Sequence, residues 1–139
     1  MNLKEILEEF IEKDYDELMD IFRISYLSFL ETLEKNYHFP INMVNTYAID
    51  LIAASIAADG ELAENEITFL KDTFSLKDDQ IQKLFERGKK PYVVNGIEHM
   101  LMIVFSDVKE YAITLCLSII AIDEKITREE VAFIERLLY

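Results

Sequence analysis

Tyr47-Ala48-Ile49-Asp50-Leu51-Ile52-Ala53-Ala54-Ser55-Ile56-Ala57-Ala58-Asp59-Gly60 reads as an apolar helix that stops at an acidic turn. The same pattern returns as Tyr111-Ala112-Ile113-Thr114-Leu115-Cys116-Leu117-Ser118-Ile119-Ile120-Ala121-Ile122-Asp123-Glu124. A shift of 64 positions, without gaps, superimposes Tyr47 on Tyr111, Ala48 on Ala112, Leu51 on Leu115, Ile56 on Ile120, Ala57 on Ala121 and Asp59 on Asp123. Past the turn it pairs Glu66 with Glu130, Ile67 with Val131, Phe69 with Phe133 and Leu70 with Ile134. One register held across a helix, a turn and a second helix marks an internal repeat.

Composition agrees with a helical reading. The chain has 139 residues with only 3 Gly and 2 Pro, too few for the frequent turns of a β-sandwich. The expected fold is all-α, a compact bundle of seven to eight helices built from two pseudo-symmetric repeats in one domain spanning 1–139. Within it, 1–38 forms an N-terminal helical extension, 40–88 the first repeat and 95–139 the second. Such a chain is long enough to bury roughly two-thirds of the surface its unfolded form exposes.

Patterning and caps place the individual helices. Leu3, Ile6, Leu7, Phe10 and Ile11 recur at helical spacing opposite Glu5, Glu8, Glu9 and Glu12, giving an amphipathic first helix that ends near Lys13. Asp14 and Glu17 form a capping box ahead of a second helix whose stripe is Leu18, Ile21, Phe22, Ser25, Phe29 and Leu33. Ile24, Tyr26, Leu27 and Leu30 widen that stripe, so the helix is either buried on two sides or offers a contact surface. Pro40 breaks the pattern, and Asn42 is a candidate cap for the third helix. The small residues Ala53, Ala54, Ser55, Ala57 and Ala58 let a neighbouring helix approach closely. Further helices are expected near Glu64–Thr73 and near Asp78–Arg87, followed by a Lys89-Lys90-Pro91 linker. Asn95 is a candidate cap for the sixth helix, Asp107 with Glu110 caps the seventh, and the eighth begins at Thr127.

The formal charge of −13, from 14 basic and 27 acidic residues, repels phosphate backbones and anionic lipid surfaces. Nucleic acid is therefore not an expected partner. The apolar run from Tyr111 to Ile122 falls short of the about 20 residues a membrane helix needs, so no direct membrane insertion is expected. The N-terminus lacks a signal-peptide pattern, and the single Cys116 sits inside an apolar helix as a buried, inert thiol; the expected location is cytoplasmic.

Ile56-Ala57-Ala58-Asp59-Gly60-Glu61-Leu62-Ala63-Glu64-Asn65-Glu66-Ile67-Thr68-Phe69-Leu70 resembles the hallmark of the TerB-like domain family, named for tellurite resistance and also present in a membrane-anchored DnaJ-like co-chaperone. The stretch from Ile120 to Glu130 resembles its second copy. The resemblance covers roughly residues 40 to 138 and leaves the N-terminal segment unmatched. It implies a bundle of about seven helices and a non-enzymatic role in stress response, with metal ions bound by acidic residues after the two central helices. Carried onto this chain, those positions are Asp59, Glu66, Asp123 and Glu130. Glu124 and Lys125 replace Gly60 and Glu61 in the second copy, and a lysine there competes with a cation.

The acidic positions admit two readings. Oxygen-only ligands suit a hard divalent cation such as Ca, Mg or Mn. Local capping explains the same residue types without a ligand: Thr127 and Glu130 form a capping box, Glu66 sits at the equivalent place after Ala63, and Asp59 and Asp123 are placed to accept turn amides. An EF-hand is excluded, because Gly60, Leu62 and Glu66 on loop positions 6, 8 and 12 put Ser55 and Ala57 on positions 1 and 3, and Ala57 carries no oxygen ligand.

Enzyme chemistry finds no support. His38 and His99 complete no Glu-x-x-His or His-Glu-x-x-His pattern, and the chain has no phosphate loop, no Gly-x-Ser-x-Gly elbow and no cysteine pair. Met19, Met43, Met100 and Met102 read as core filler, and Glu98 as part of a solvated face. The expected function is a TerB-like binding module with no small-molecule substrate. The alternative is an adaptor that docks a protein partner or forms a homodimer through its second helix, without metal.

Overall fold

The computed structural model describes residues 3–123 and 126–138, and these form eight α-helices and no strand. In order they are α1 (Leu3–Ile11), α2 (Tyr15–Lys35), α3 (Ile41–Ala57), α4 (Glu64–Phe74), α5 (Asp78–Gly88), α6 (Pro91–Ile103), α7 (Ser106–Ala121) and α8 (Arg128–Leu138). No helix among the described residues is long and apolar enough to cross a membrane.

The two copies of the organising stretch, α3 and α7, pack against each other at the centre. Ala48, Leu51, Ala53 and Ile56 from α3 and Ala112, Leu115, Cys116, Ile119 and Ile120 from α7 are completely buried. A helix that is apolar on nearly every side needs cover on nearly every side. The most extensive packing is therefore α2 on α7 and α5 on α3. The described part of the N-terminal segment, 3–38, belongs to this core: Phe22, Phe29 and Leu33 of α2 are buried, and Phe22 stands edge-on to Phe69 of α4 at 4.9 Å between ring centres. In covering α7, α2 does for the second repeat what α5 does for the first.

The small residues of α3 serve the contact with α5. Gly88, in the last turn of α5, lies so close that a Cβ placed there would overlap the carbonyl carbon and oxygen of Ala53 and sit 2.9 Å from the Ala57 Cβ. Next to this contact Asp50, buried on α3, accepts a 2.6 Å hydrogen bond from Arg87 Nε of α5. Asp50 breaks the repeat, for its counterpart is Thr114. The ion pair supplies the partner that a buried carboxylate requires.

Several caps differ from expectation. Asp14 and Glu17 form the predicted box, with Glu17 N–H donating to Asp14 Oδ1 at 2.8 Å. Pro40, not Asn42, is the N-cap of α3, and it makes no side-chain cap bond. Lys89-Lys90-Pro91 is hardly a linker, since Pro91 is already the first residue of α6, where its missing N–H costs nothing. That places Asn95 inside α6, accepting from Arg136 Nη2 at 2.5 Å instead of capping. Asp107 accepts from its neighbour Val108 N–H rather than pairing with Glu110, and Phe105 takes the N-cap position of α7. Met19 and Met100 fill the core, whereas Met43 and Met102 are exposed. Glu98 is half-buried rather than fully solvated, and it is ion-paired with Arg136.

Candidate functional site at the paired acidic elbows

Each central helix ends in a tight elbow that feeds a short acidic helix. In the first copy Gly60 takes φ +81°, a left-handed conformation that glycine adopts without steric cost, and its N–H donates to Ala57 O at 3.0 Å. Asp59 Oδ1 accepts from Glu61 N–H at 3.0 Å, which locks the turn. Two residues on, Ala63 N–H donates to Glu66 Oε1 at 3.0 Å, and Ala63 has no side chain to return the bond. The second copy has both halves of the box: Thr127 N–H donates to Glu130 Oε1 at 2.9 Å and Glu130 N–H to Thr127 Oγ1 at 3.2 Å. The capping reading of both glutamates is thus correct as far as it goes. Glu124 and Lys125 lie outside the described residues.

What capping does not explain is burial. Glu66 and Glu130 are each only 2% exposed, and with Asp50 they are the buried ionisable groups of the described chain apart from Cys116. The elbows also interlock. Asn65 Nδ2 of α4 donates to Ile122 O of the second elbow at 3.4 Å, while Asp59 and Gly60 of the first elbow share a surface recess with Glu129 and Phe133 of α8. Each short helix therefore starts beside the other copy's turn.

The four named acids are consequently within electrostatic reach of one another. Burial first, and then the charges of Asp59, Asp123 and Glu130, push the Glu66 carboxyl up to about 8, against the opposing pull of the Ala63 amide. Burial and the charges of Asp59 and Asp123 push Glu130 up to about 7, opposed by its bonds to Thr127. The aspartates follow directly on the negative ends of the α3 and α7 dipoles, a placement that favours cations over anions. The glutamates sit in the first turns of α4 and α8, where a carboxylate is favoured.

As a donor set the site is all oxygen, which suits a hard cation. Its arrangement is open: among the described residues no three His, Cys, Asp or Glu side chains are placed to hold a metal ion together. Each glutamate has one oxygen engaged by its own cap amide. The residues fit an ion that keeps most of its water and takes one or two carboxylates, the habit of Mg²⁺, better than a closed protein cage.

The remaining chemistry-bearing side chains stay apart from the elbows. His38 and His99 are exposed, one after α2 and the other on α6. Cys116 is completely buried, and burial pushes its thiol up to about 12, which keeps it protonated and unreactive. The repeat paired the four acids and the family resemblance implied their role, but the burial of the two glutamates had no signal in the sequence: Glu66 and Glu130 sit at helix starts, where exposed glutamates are commonplace. No family model, no curated protein and no solved structure matches the chain.

Proposed function

We propose that this chain is a non-enzymatic binding module of the TerB-like kind, acting in stress response, with the paired acidic elbows as its site for a hard divalent cation. The observation that carries the reading is the burial of Glu66 and Glu130, one from each repeat, within the field of Asp59 and Asp123 at the ends of α3 and α7. Like charges gathered out of water are unfavourable unless a proton or a cation offsets them. A site of that kind responds to whichever of the two is present.

Calorimetric titration with Mg²⁺, Ca²⁺ and Mn²⁺ tests this. The expected result is saturable heat with at least one ion, tighter at pH 8.5 than at pH 6 because protons and the ion compete, and lost in Asp59→Asn. Heat no greater than dilution for all three ions at both pH values would refute the cation.

A second reading, docking through α2, is favoured by Ile24 and Leu27, which are 69% and 60% exposed and lie three residues apart on the solvent side of that helix. It expects the wild type to self-associate in light scattering and Leu27→Glu to be a folded monomer. If both are monomeric, self-association through α2 is ruled out.

A further inference from the structure

An open groove of about 490 Å³ runs between α2, α3, α5 and the α4–α5 connection, on elements far apart in sequence. Its walls are apolar: Tyr26 from α2, Ile49 and Ile52 from α3, Phe74 at the end of α4 and Leu84 from α5. Besides the Tyr26 hydroxyl, the polar groups on its border, Gln80, Lys83 and Arg87, all come from α5. Their spacing of three and then four residues puts them on one stripe of that helix, so the cationic groups edge the groove on one side only.

The charge of that edge is the informative feature. Arg87 uses Nε to bind Asp50, and its two Nη nitrogens make no hydrogen bond among the described residues. Lys83 forms no ion pair among them either. A molecule with a formal charge of −13 thus presents, beside one of its apolar recesses, an exposed lysine and two guanidinium nitrogens that make no hydrogen bond to the described residues. Small-molecule sites have this design, mostly apolar walls with a few polar groups that fix orientation, and volumes of about 300–1,000 Å³.

We propose that this groove binds a free long-chain carboxylate, a fatty acid, with its chain along Tyr26, Ile49 and Phe74 and its headgroup at Lys83 and the Nη groups of Arg87. A partner helix is a poorer occupant. At a diameter of about 10 Å and a pitch of 5.4 Å, one helical turn fills roughly 400 Å³, so the groove admits about one turn. A bilayer is poorer still, because the groove is recessed between helices, out of reach of a flat surface.

The test is calorimetry on the full chain in EDTA, which separates it from the cation reading, with sodium laurate and dodecyltrimethylammonium below their micellar concentrations. Laurate is expected to bind one to one. The cationic surfactant of equal chain length should bind about tenfold more weakly or worse, and Lys83→Glu should cost laurate about tenfold while leaving the circular dichroism unchanged. Ile49→Glu, in the wall, should abolish binding. Equal affinity for the two surfactants, several laurates per chain, or indifference to Lys83→Glu would overturn the proposal. So would the absence of laurate heat, and a dimer that Ile49→Glu dissociates would then assign the groove to a second copy of the chain.

Discussion

Gly88→Ala should destabilise the protein by about 1–3 kcal/mol in chemical denaturation, although alanine is the better helix former. In an open helix the substitution gains about 1 kcal/mol. Here the new methyl group would overlap the Ala53 carbonyl, a backbone group that cannot rotate aside, and crowd the Ala57 Cβ. Relief requires α5 to move off α3, which disturbs Asp50–Arg87 and uncovers one of the two central helices. Gly96→Ala in α6 is the internal control: nothing lies within 4 Å of its added Cβ, and it should stabilise by about 0.5–1 kcal/mol. Equal effects of the two substitutions would mean that α3 and α5 are not in close contact.

Stability should fall as pH rises through neutrality, and Glu66→Gln should remove most of that fall. Glu66 ordinarily titrates near 4.5 and is pushed up to about 8 in the folded protein, so between those values the native state holds a proton that the unfolded state has released. The unfolded chain gains relative stability across that window, and the loss levels off above the folded value. Glu130, raised to about 7, adds to the same trend. At about 1.36 kcal/mol for each pH unit separating the folded and unfolded midpoints, and allowing for relaxation around the charged form, Glu66 alone accounts for about 2–4 kcal/mol between about pH 5 and 8.5. Glutamine keeps the oxygen that accepts from Ala63 N–H and carries no charge at any pH. The variant should equal the wild type near pH 5 and exceed it at pH 8.5. A wild-type curve that rises over this range would contradict the burial of the pair.

The repeat made the architecture legible because it combines two signals, a gapless register and an apolar run ending at an acid turn, that no surface segment would keep. From it came the pairing of α3 with α7 and the equivalence of Glu66 with Glu130. Helix starts were less legible where the local chemistry was ambiguous. Asn42, Asn95 and Asp107 are all good caps in isolation, yet Pro40, Pro91 and Phe105 set the boundaries, because packing of the helices and the fixed φ of proline outweighed a single side-chain bond. The role of 1–38 could not be read from the repeat, since α2 has no copy to match; its place against α7 follows from the need to cover an apolar helix whose repeat has no counterpart of α5. Gly88 closes α5 and is also a contact point, a second role that depends on a residue more than 30 positions away.

The most direct measurement is the carboxyl titration of Glu66 and Glu130 by carbon-detected NMR, read with and without Glu66→Gln. Midpoints near 8 and 7 for the two, with Glu130 shifting when Glu66 is neutralised, are the result expected if the duplicated helices bring their acidic elbows together in the protein interior. Two independent titrations near 4.5, the value of a solvated glutamate, would show that the elbows lie apart and open to water, and the proposed site would go with them.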